Sequence, residues 1–215
     1  MVKKNYTEAE MIDTFGLTRL VSTQTERMED WLNIGVPELT PFESYLFEMK
    51  LKEVKENIIG WNEEELKMEF ISFLMLIVSL KSTDKYRVFY ERNLAHTIEK
   101  NPLSVKVDYM IATGILNLHK KPYFYFQEYK PDANPTGDPI GQLLQAMMIA
   151  QAINSDNKPI YGAKVNGRFW SFLILEQKTY CVSKNYDATE RDELLQIISI
   201  LRKFKHILET ELIVD

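Results

Sequence analysis

The sequence is poor in cysteine and histidine, which excludes two kinds of stabilising site. Cys181 is the single cysteine among 215 residues, so the chain cannot form an internal disulfide framework or a zinc finger rich in sulfur ligands. The three histidines are scattered without the spacing of metal ligands. In the stretch "TYCVS", Cys181 is expected to be a buried strand residue. The low cysteine content fits a reducing cytoplasm, where we expect this protein to act.

Long apolar runs are also missing. The most apolar stretch, "FISFLMLIVSL" at 70–80, is too short to span a bilayer and predicts a buried helix instead. The stretch "MVKKNYTEAEM" has a basic start but no apolar run behind it, unlike a secretory signal. We therefore expect no membrane partner.

An excess of positive charge is missing as well. The chain has 26 basic and 31 acidic residues, which gives a formal net charge of −5. Many nucleic-acid-binding proteins are positive overall, so this protein can contact a polyanion only through a local surface. Its 45% hydrophobic and 12% aromatic content is ordinary for a folded protein.

The pattern of apolar residues predicts an N-terminal helical extension over 1–58 and a core domain over 59–215. In the extension, Thr40 and Pro41 predict a helix start, and a weak apolar stripe is expected to lie on the core. The members of this stripe are Phe42, Tyr45, Leu46 and Met49.

The core domain begins with a helix that Asn62 can cap. Three strand-like segments follow, then a helix with Asp138 as its cap, further strands around "VNGRFW", and a final helix. This order predicts a mixed α/β (α+β) fold with a central mixed sheet flanked by helices.

Two of the predicted strands carry an unusual set of polar residues. Alternation in "SVKVDYM" separates Asp108 from its apolar neighbours, and in "FYFQEYKP" it places Glu128 and Lys130 on one face. Neighbouring strands can bring Asp108 and Glu128 side by side, with Lys130 one step along. Two carboxylates so close repel each other, and a divalent cation such as magnesium is the natural compensation. Such a site can hydrolyse phosphodiesters, with Lys130 orienting water or neutralising developing charge.

Asp108 followed by "QEYK" resembles the D…ExK signature of the PD-(D/E)XK nuclease superfamily, the restriction-endonuclease-like fold. The order of helix, three-strand meander, helix and strand also matches, over roughly residues 60 to 210. The resemblance implies that Asp108 and Glu128 bind Mg²⁺ or Mn²⁺ and that Lys130 assists hydrolysis of nucleic acid. The resemblance favours DNA over RNA as the substrate. It also leaves open a homodimer, because two active sites in a dimer can make paired cuts in a duplex.

The resemblance also implies two accessory residues. Many members carry a glutamate on the first core helix. On the corresponding helix of this chain, Glu63 lies about 30° from the centre of the apolar stripe, Glu69 about 90° and Glu65 about 130°. This phase favours Glu63 as a third metal ligand. Some members carry a glutamine on the helix after the ExK strand, and Gln142 lies in the first turns of that helix.

Other interpretations of the same residues stay open. Asp108 can pair with a lysine, and Glu128 with Lys130 can form an ordinary ion pair. The charge of Glu63 can simply be stabilised by the positive end of its helix dipole, and the side chain of Gln142 can be solvated. The chain is then a non-catalytic binding or assembly subunit of the same fold, or an interaction domain with a structural acidic pair.

Overall fold

The computed structural model describes residues 5–21, 24–133 and 137–213, and these form one mixed sheet of eight strands with helices on both faces. The helices are α1 (Glu8–Phe15), α2 (Glu26–Leu32), α3 (Pro41–Asn57), α4 (Glu63–Glu65), α5 (Ser72–Val78), α6 (Pro139–Asn154) and α7 (Arg191–Ile207). Two π-helical segments follow α4 and α7, over Leu66–Ile71 and Leu208–Leu212. The strands are β1 (Thr18–Leu20), β2 (Arg87–Ile98), β3 (Asn101–Ile115), β4 (Leu118–Lys130), β5 (Ile160–Asn166), β6 (Phe169–Glu176), β7 (Thr179–Val182) and β8 (Tyr186–Asp187).

The sheet combines antiparallel hairpins with two parallel pairings. Its strand order is β1-β7-β6-β5-β4-β3-β2, and β8 pairs with β6. The predicted meander of three antiparallel strands is confirmed as β2-β3-β4. The strands β4 and β5 run parallel and are joined through α6, and β1 pairs parallel with β7 at the far edge. The mixed α/β class is therefore confirmed.

Local sequence signals place several element ends. Asn62 caps α4 by accepting a hydrogen bond from the Glu65 backbone N–H, 3.0 Å away, and Asp138 caps α6 through the backbone of Ile140 and Gly141. These caps satisfy N–H groups that lack a partner within the first turn. The predicted hairpin turn joins β5 to β6, where Gly167 has a positive φ of 52°. Cys181 lies in β7 and is buried, as predicted.

Two apolar cores lie on the two sides of the sheet. One contains residues of α1 and α6, and the other contains residues of α2, α3, α5 and α7. Trp31 of α2 is fully buried in the second core, where its ring contacts Tyr161, Phe172 and Phe204. Its indole N–H donates to the Ile200 carbonyl at 3.0 Å, so the polar edge of the ring is also satisfied.

Residues before position 59 contribute to the sheet as well as to both cores. The strand β1 extends the sheet, Phe15 lies in the first core, and Met28 lies in the second. The predicted stripe on α3 is wrong: Phe42 and Tyr45 are both 69% exposed, whereas the buried positions are Phe47, Lys50, Leu51 and Val54. The helix is therefore rotated relative to the prediction, because its apolar positions define two faces and only one meets the core.

In the part of the chain that the structure describes, no helix combines the length and apolar character needed to cross a bilayer.

Candidate active site

The candidate site lies where β3 and β4 pair, close to the start of the helical segment 63–78. The antiparallel register places Tyr109 opposite Gln127, so Asp108 and Glu128 are the next residues along the two strands. The Asp108 Oδ2 atom accepts a hydrogen bond from the backbone N–H of Tyr129 at 2.8 Å. This bond joins the carboxylate of one strand to the backbone of the next and fixes the position of Asp108.

A break in strand alternation accompanies Asp108. Val107 belongs to the core beside α6, whereas Tyr109 belongs to the core on the opposite side, although alternation predicts a shared face. On β2, Tyr90 pairs with Tyr109 and Arg92 with Val107, which leaves Glu91 opposite Asp108. Glu91 has a φ of 54°, a backbone region that non-glycine residues rarely adopt. Strained backbone of this kind is concentrated at functional sites.

Glu128 and Lys130 form a buried ion pair at the end of β4. The Lys130 Nζ atom donates to Glu128 Oε1 at 2.8 Å and to the Tyr129 carbonyl at 3.1 Å. The two residues are only 3% and 8% exposed. Burial, together with the negative charge of Asp108, raises the pKa of Glu128 to about 7 against the opposing effect of Lys130. Burial likewise raises the pKa of Asp108.

A buried hydrogen-bond network supports β4 beside this pair. The Gln127 side-chain amide N–H donates to the Tyr125 hydroxyl at 2.8 Å, and the Tyr129 hydroxyl donates to Oε1 of the same amide. Tyr125 and Tyr129 belong to the core that contains α7, and Gln127 is fully buried as well. Because Gln127 and Tyr129 flank Glu128, the network holds the backbone on both sides of this carboxylate.

Lys67 is one of two residues of this site that the sequence interpretation missed. Its Nζ atom donates to Glu63 Oε1 and Glu91 Oε1, each at 2.8 Å, and to Asp108 Oδ1 at 3.4 Å. Burial acts to lower the pKa of Lys67, but the hydrogen bonds with Glu63 and Glu91 outweigh it and raise the pKa. The ammonium group therefore hydrogen-bonds to three carboxylates from three separate elements, and a fourth, Glu64, lies 3.7 Å away.

Glu91 is a second missed residue, and it links Lys67 to the exposed Lys106. Burial acts to raise the pKa of Glu91, but hydrogen bonds with Lys106 and Lys67 lower it to about 2. The i,i+4 spacing of Glu63 and Lys67 was a sequence signal for one of these pairs. Nothing local in the sequence signals that Glu91 and Asp108 reach the same ammonium group.

The five predicted site residues are not all brought together. Asp108, Glu128 and Lys130 lie in one cluster, and Glu63 reaches it through Lys67. Glu65 and Glu69, the alternatives to Glu63, are exposed. Gln142 is half-buried in the first turn of α6. No hydrogen bond or ion pair joins its side chain to the cluster among residues 5–21, 24–133 and 137–213.

The donor chemistry of the cluster fits a hard divalent cation. Asp108 and Glu128 offer carboxylate oxygens, and magnesium is usually held by one or two protein carboxylates together with water and substrate phosphates. Within the described residues, no group of three or more His, Cys, Asp or Glu side chains is arranged to hold one ion. The arrangement therefore offers two carboxylates to an ion, and the Lys67 ammonium group lies 3.4 Å from Asp108.

A comparison with models of known protein families found no match, and a search of curated protein sequences found none either.

Proposed function

We propose that this protein is a metal-dependent nuclease of the PD-(D/E)XK type, with a restriction-endonuclease-like core, acting on DNA. The observation that carries the proposal is the pairing of Asp108 and Glu128 on adjacent strands with Lys130 bonded to Glu128 at 2.8 Å. Burying two carboxylates side by side costs free energy through desolvation and mutual repulsion, so a functional or structural compensation is needed. Their spacing follows the D…ExK pattern that the sequence resembles.

Each residue has a defined task in this proposal. The chemistry that Mg²⁺ or Mn²⁺ supplies when bound is Lewis-acid polarisation of a phosphodiester. Asp108 and Glu128 would hold the ion, and Glu63 would act as an accessory acid from α4. The Lys130 ammonium group neutralises negative charge that develops on the phosphate oxygens and orients the attacking water. Gln142 would contact the substrate phosphate rather than the carboxylates.

The perturbed pKa of Glu128 agrees with a cation-binding role. A carboxyl group with a pKa of about 7 is protonated in part at neutral pH. A divalent cation binds the ionised form and replaces that proton, so ion binding and proton release are coupled. Lys130 alone does not restore the ordinary pKa, although its Nζ atom is only 2.8 Å away.

A nuclease assay with linear, circular and single-stranded DNA tests the proposal. The parent protein is expected to cleave in Mg²⁺ or Mn²⁺ and to stop when a chelator is added. Asp108→Ala and Lys130→Ala should each reduce the rate by roughly 10²- to 10³-fold, the usual effect of removing one electrostatic stabiliser. Asp13→Ala and Lys120→Ala are matched controls because both residues are exposed. Cleavage that survives Asp108→Ala would refute the assignment.

A non-catalytic subunit of the same fold is the second candidate. The observation that favours it is Lys67, which already supplies a positive charge to Asp108 and Glu63. In this interpretation the Lys67 amine permanently occupies the place that the metal ion takes in active members of the superfamily. The discriminating result is a parent protein that cleaves no substrate and whose melting temperature does not respond to Mn²⁺, since an ion that binds only the native state must raise stability.

A further inference from the structure

An apolar pocket adjoins the candidate site, and its apolar walls have no task in the carboxylate chemistry. It has a volume of about 330 Å³ and lies between the helical segment 63–78 and the strands β2 and β3. Its apolar walls come from Met68, Ile71, Met75 and Tyr90. Its polar end includes Asp108, so one carboxylate belongs both to the proposed metal site and to the pocket.

The pocket is open and its mouth is apolar. Met68 is 69% exposed and Tyr90 is 54% exposed, whereas Ile71 and Met75 are buried and form the floor. The ring of Tyr90 is held in place by an edge-on contact with Tyr109, at 5.4 Å between ring centroids. Concave apolar surface with a few polar groups at one end is the usual form of a ligand site.

Charge near the pocket does not suit the backbone of a duplex. Among the residues described on this face, Lys67 and Lys106 are both engaged by Glu91, and Lys67 also bonds to Glu63. Glu64 adds a further carboxylate to the lining. Binding of a duplex depends on cations that neutralise successive phosphates. Lys67 and Lys106 are therefore not free to neutralise phosphates, and the pocket offers apolar and aromatic contact instead.

We propose that this pocket receives one unstacked nucleobase of a single strand, placed against Tyr90 beside the phosphodiester at Asp108. The inference rests on the proposed function. The volume lies at the low end for ligand pockets, which suits one planar ring system. Tyrosine rings are sequence-tolerant platforms for bases, whereas the bases of an intact duplex are stacked and out of reach. The protein therefore prefers single strands, flaps or frayed ends.

Fluorescence anisotropy with a labelled oligothymidylate and a duplex of the same length, both in a chelator, tests this preference without cleavage. The parent should bind the single strand more tightly than the duplex. Tyr90→Ala should weaken single-strand binding by about tenfold, within the range for losing one base–aromatic stack. Tyr90→Phe should preserve it. Met68→Glu, at an exposed position, should also weaken it without a change in fold.

Tyr45→Ala is the control, because Tyr45 is also exposed, at 69% against 54% for Tyr90, and lies on the outer face of α3. The inference is overturned if the parent binds no oligothymidylate, if duplex and single strand bind equally, or if Tyr90→Ala and Tyr45→Ala behave alike. It is also overturned if Tyr90→Ala changes only the oligomeric state, since the apolar mouth would then contact a second copy. Stabilisation of the parent by Mn²⁺ is measured in parallel; if it persists while Tyr90→Ala has no effect, the nuclease proposal stands and the base pocket fails.

Discussion

Replacement of Lys67 by methionine tests how the acidic residues of this site are kept together. Lys67 and Asp108 are largely sheltered, with side chains 16% and 11% exposed. Removing one partner of a buried pair costs about 3–5 kcal/mol because the other charge is left uncompensated. The partner carboxylates Glu63 and Glu91 are 36% and 40% exposed, so each of these pairs contributes at most about 1 kcal/mol. The 3.4 Å separation from Asp108 makes that pair weaker than an ideal one.

We therefore expect Lys67→Met to lower the free energy of unfolding by about 2–3 kcal/mol. Urea denaturation in a chelator at neutral pH measures this change. Lys106→Met is the matched control, because Lys106 also pairs with Glu91 but its side chain is 51% exposed. Its effect should stay below about 1 kcal/mol. Equal effects of the two substitutions would show that Asp108 does not depend on Lys67.

The Lys67→Met variant should also respond more strongly to added metal than the parent. With Lys67 replaced, Asp108 and Glu63 lose their shared counter-ion, which leaves more uncompensated negative charge for a bound Mn²⁺ to neutralise. Added Mn²⁺ should then raise the melting temperature of Lys67→Met by more than that of the parent. A variant that gains no stability from Mn²⁺ would contradict a cation site at Asp108.

Three further predictions concern pH, the core and a helix cap. The pKa of Glu128 is raised from 4.5 to about 7, so the native state retains a proton that the unfolded chain releases, and stability should fall by about 3 kcal/mol as pH rises across this interval. In a plot of the urea midpoint against pH, Glu128→Gln should remove most of the fall between pH 4.5 and 7. An unchanged slope would refute the raised pKa of Glu128. Trp31→Ala should cost about 3–5 kcal/mol in urea denaturation because it empties a fully buried site; a loss below that of an exposed substitution such as Tyr45→Ala would place Trp31 outside the core. Thr40→Ala should cost about 1 kcal/mol through loss of the α3 cap, and Thr40→Ser should recover most of it.

The sequence predicted those parts of the fold that depend on local chemistry. The caps at Asn62 and Asp138 follow from side chains that bond to the first turn of their own helices. The turn at Gly167 follows from the freedom of glycine at positive φ. Strand order predicted the neighbouring positions of Asp108 and Glu128, because consecutive strands of a meander pair.

The rest depends on tertiary contacts that no local pattern encodes. The sequence interpretation missed Lys67, whose contact with Asp108 spans 41 positions in sequence. The positive φ of Glu91 interrupts a regular alternation pattern without a glycine to indicate it. On α3, both faces carry apolar side chains, so periodicity could not decide that Phe47 rather than Phe42 is buried.

A crystal structure of the protein with Mn²⁺, and its anomalous signal, would show whether Asp108 and Glu128 hold a cation. We expect one strong peak between the carboxylates of Asp108 and Glu128, with the ammonium group of Lys67 displaced from Asp108 relative to its present 3.4 Å. No peak at saturating Mn²⁺, or a peak that contacts neither carboxylate while Lys67 keeps its place, would contradict it.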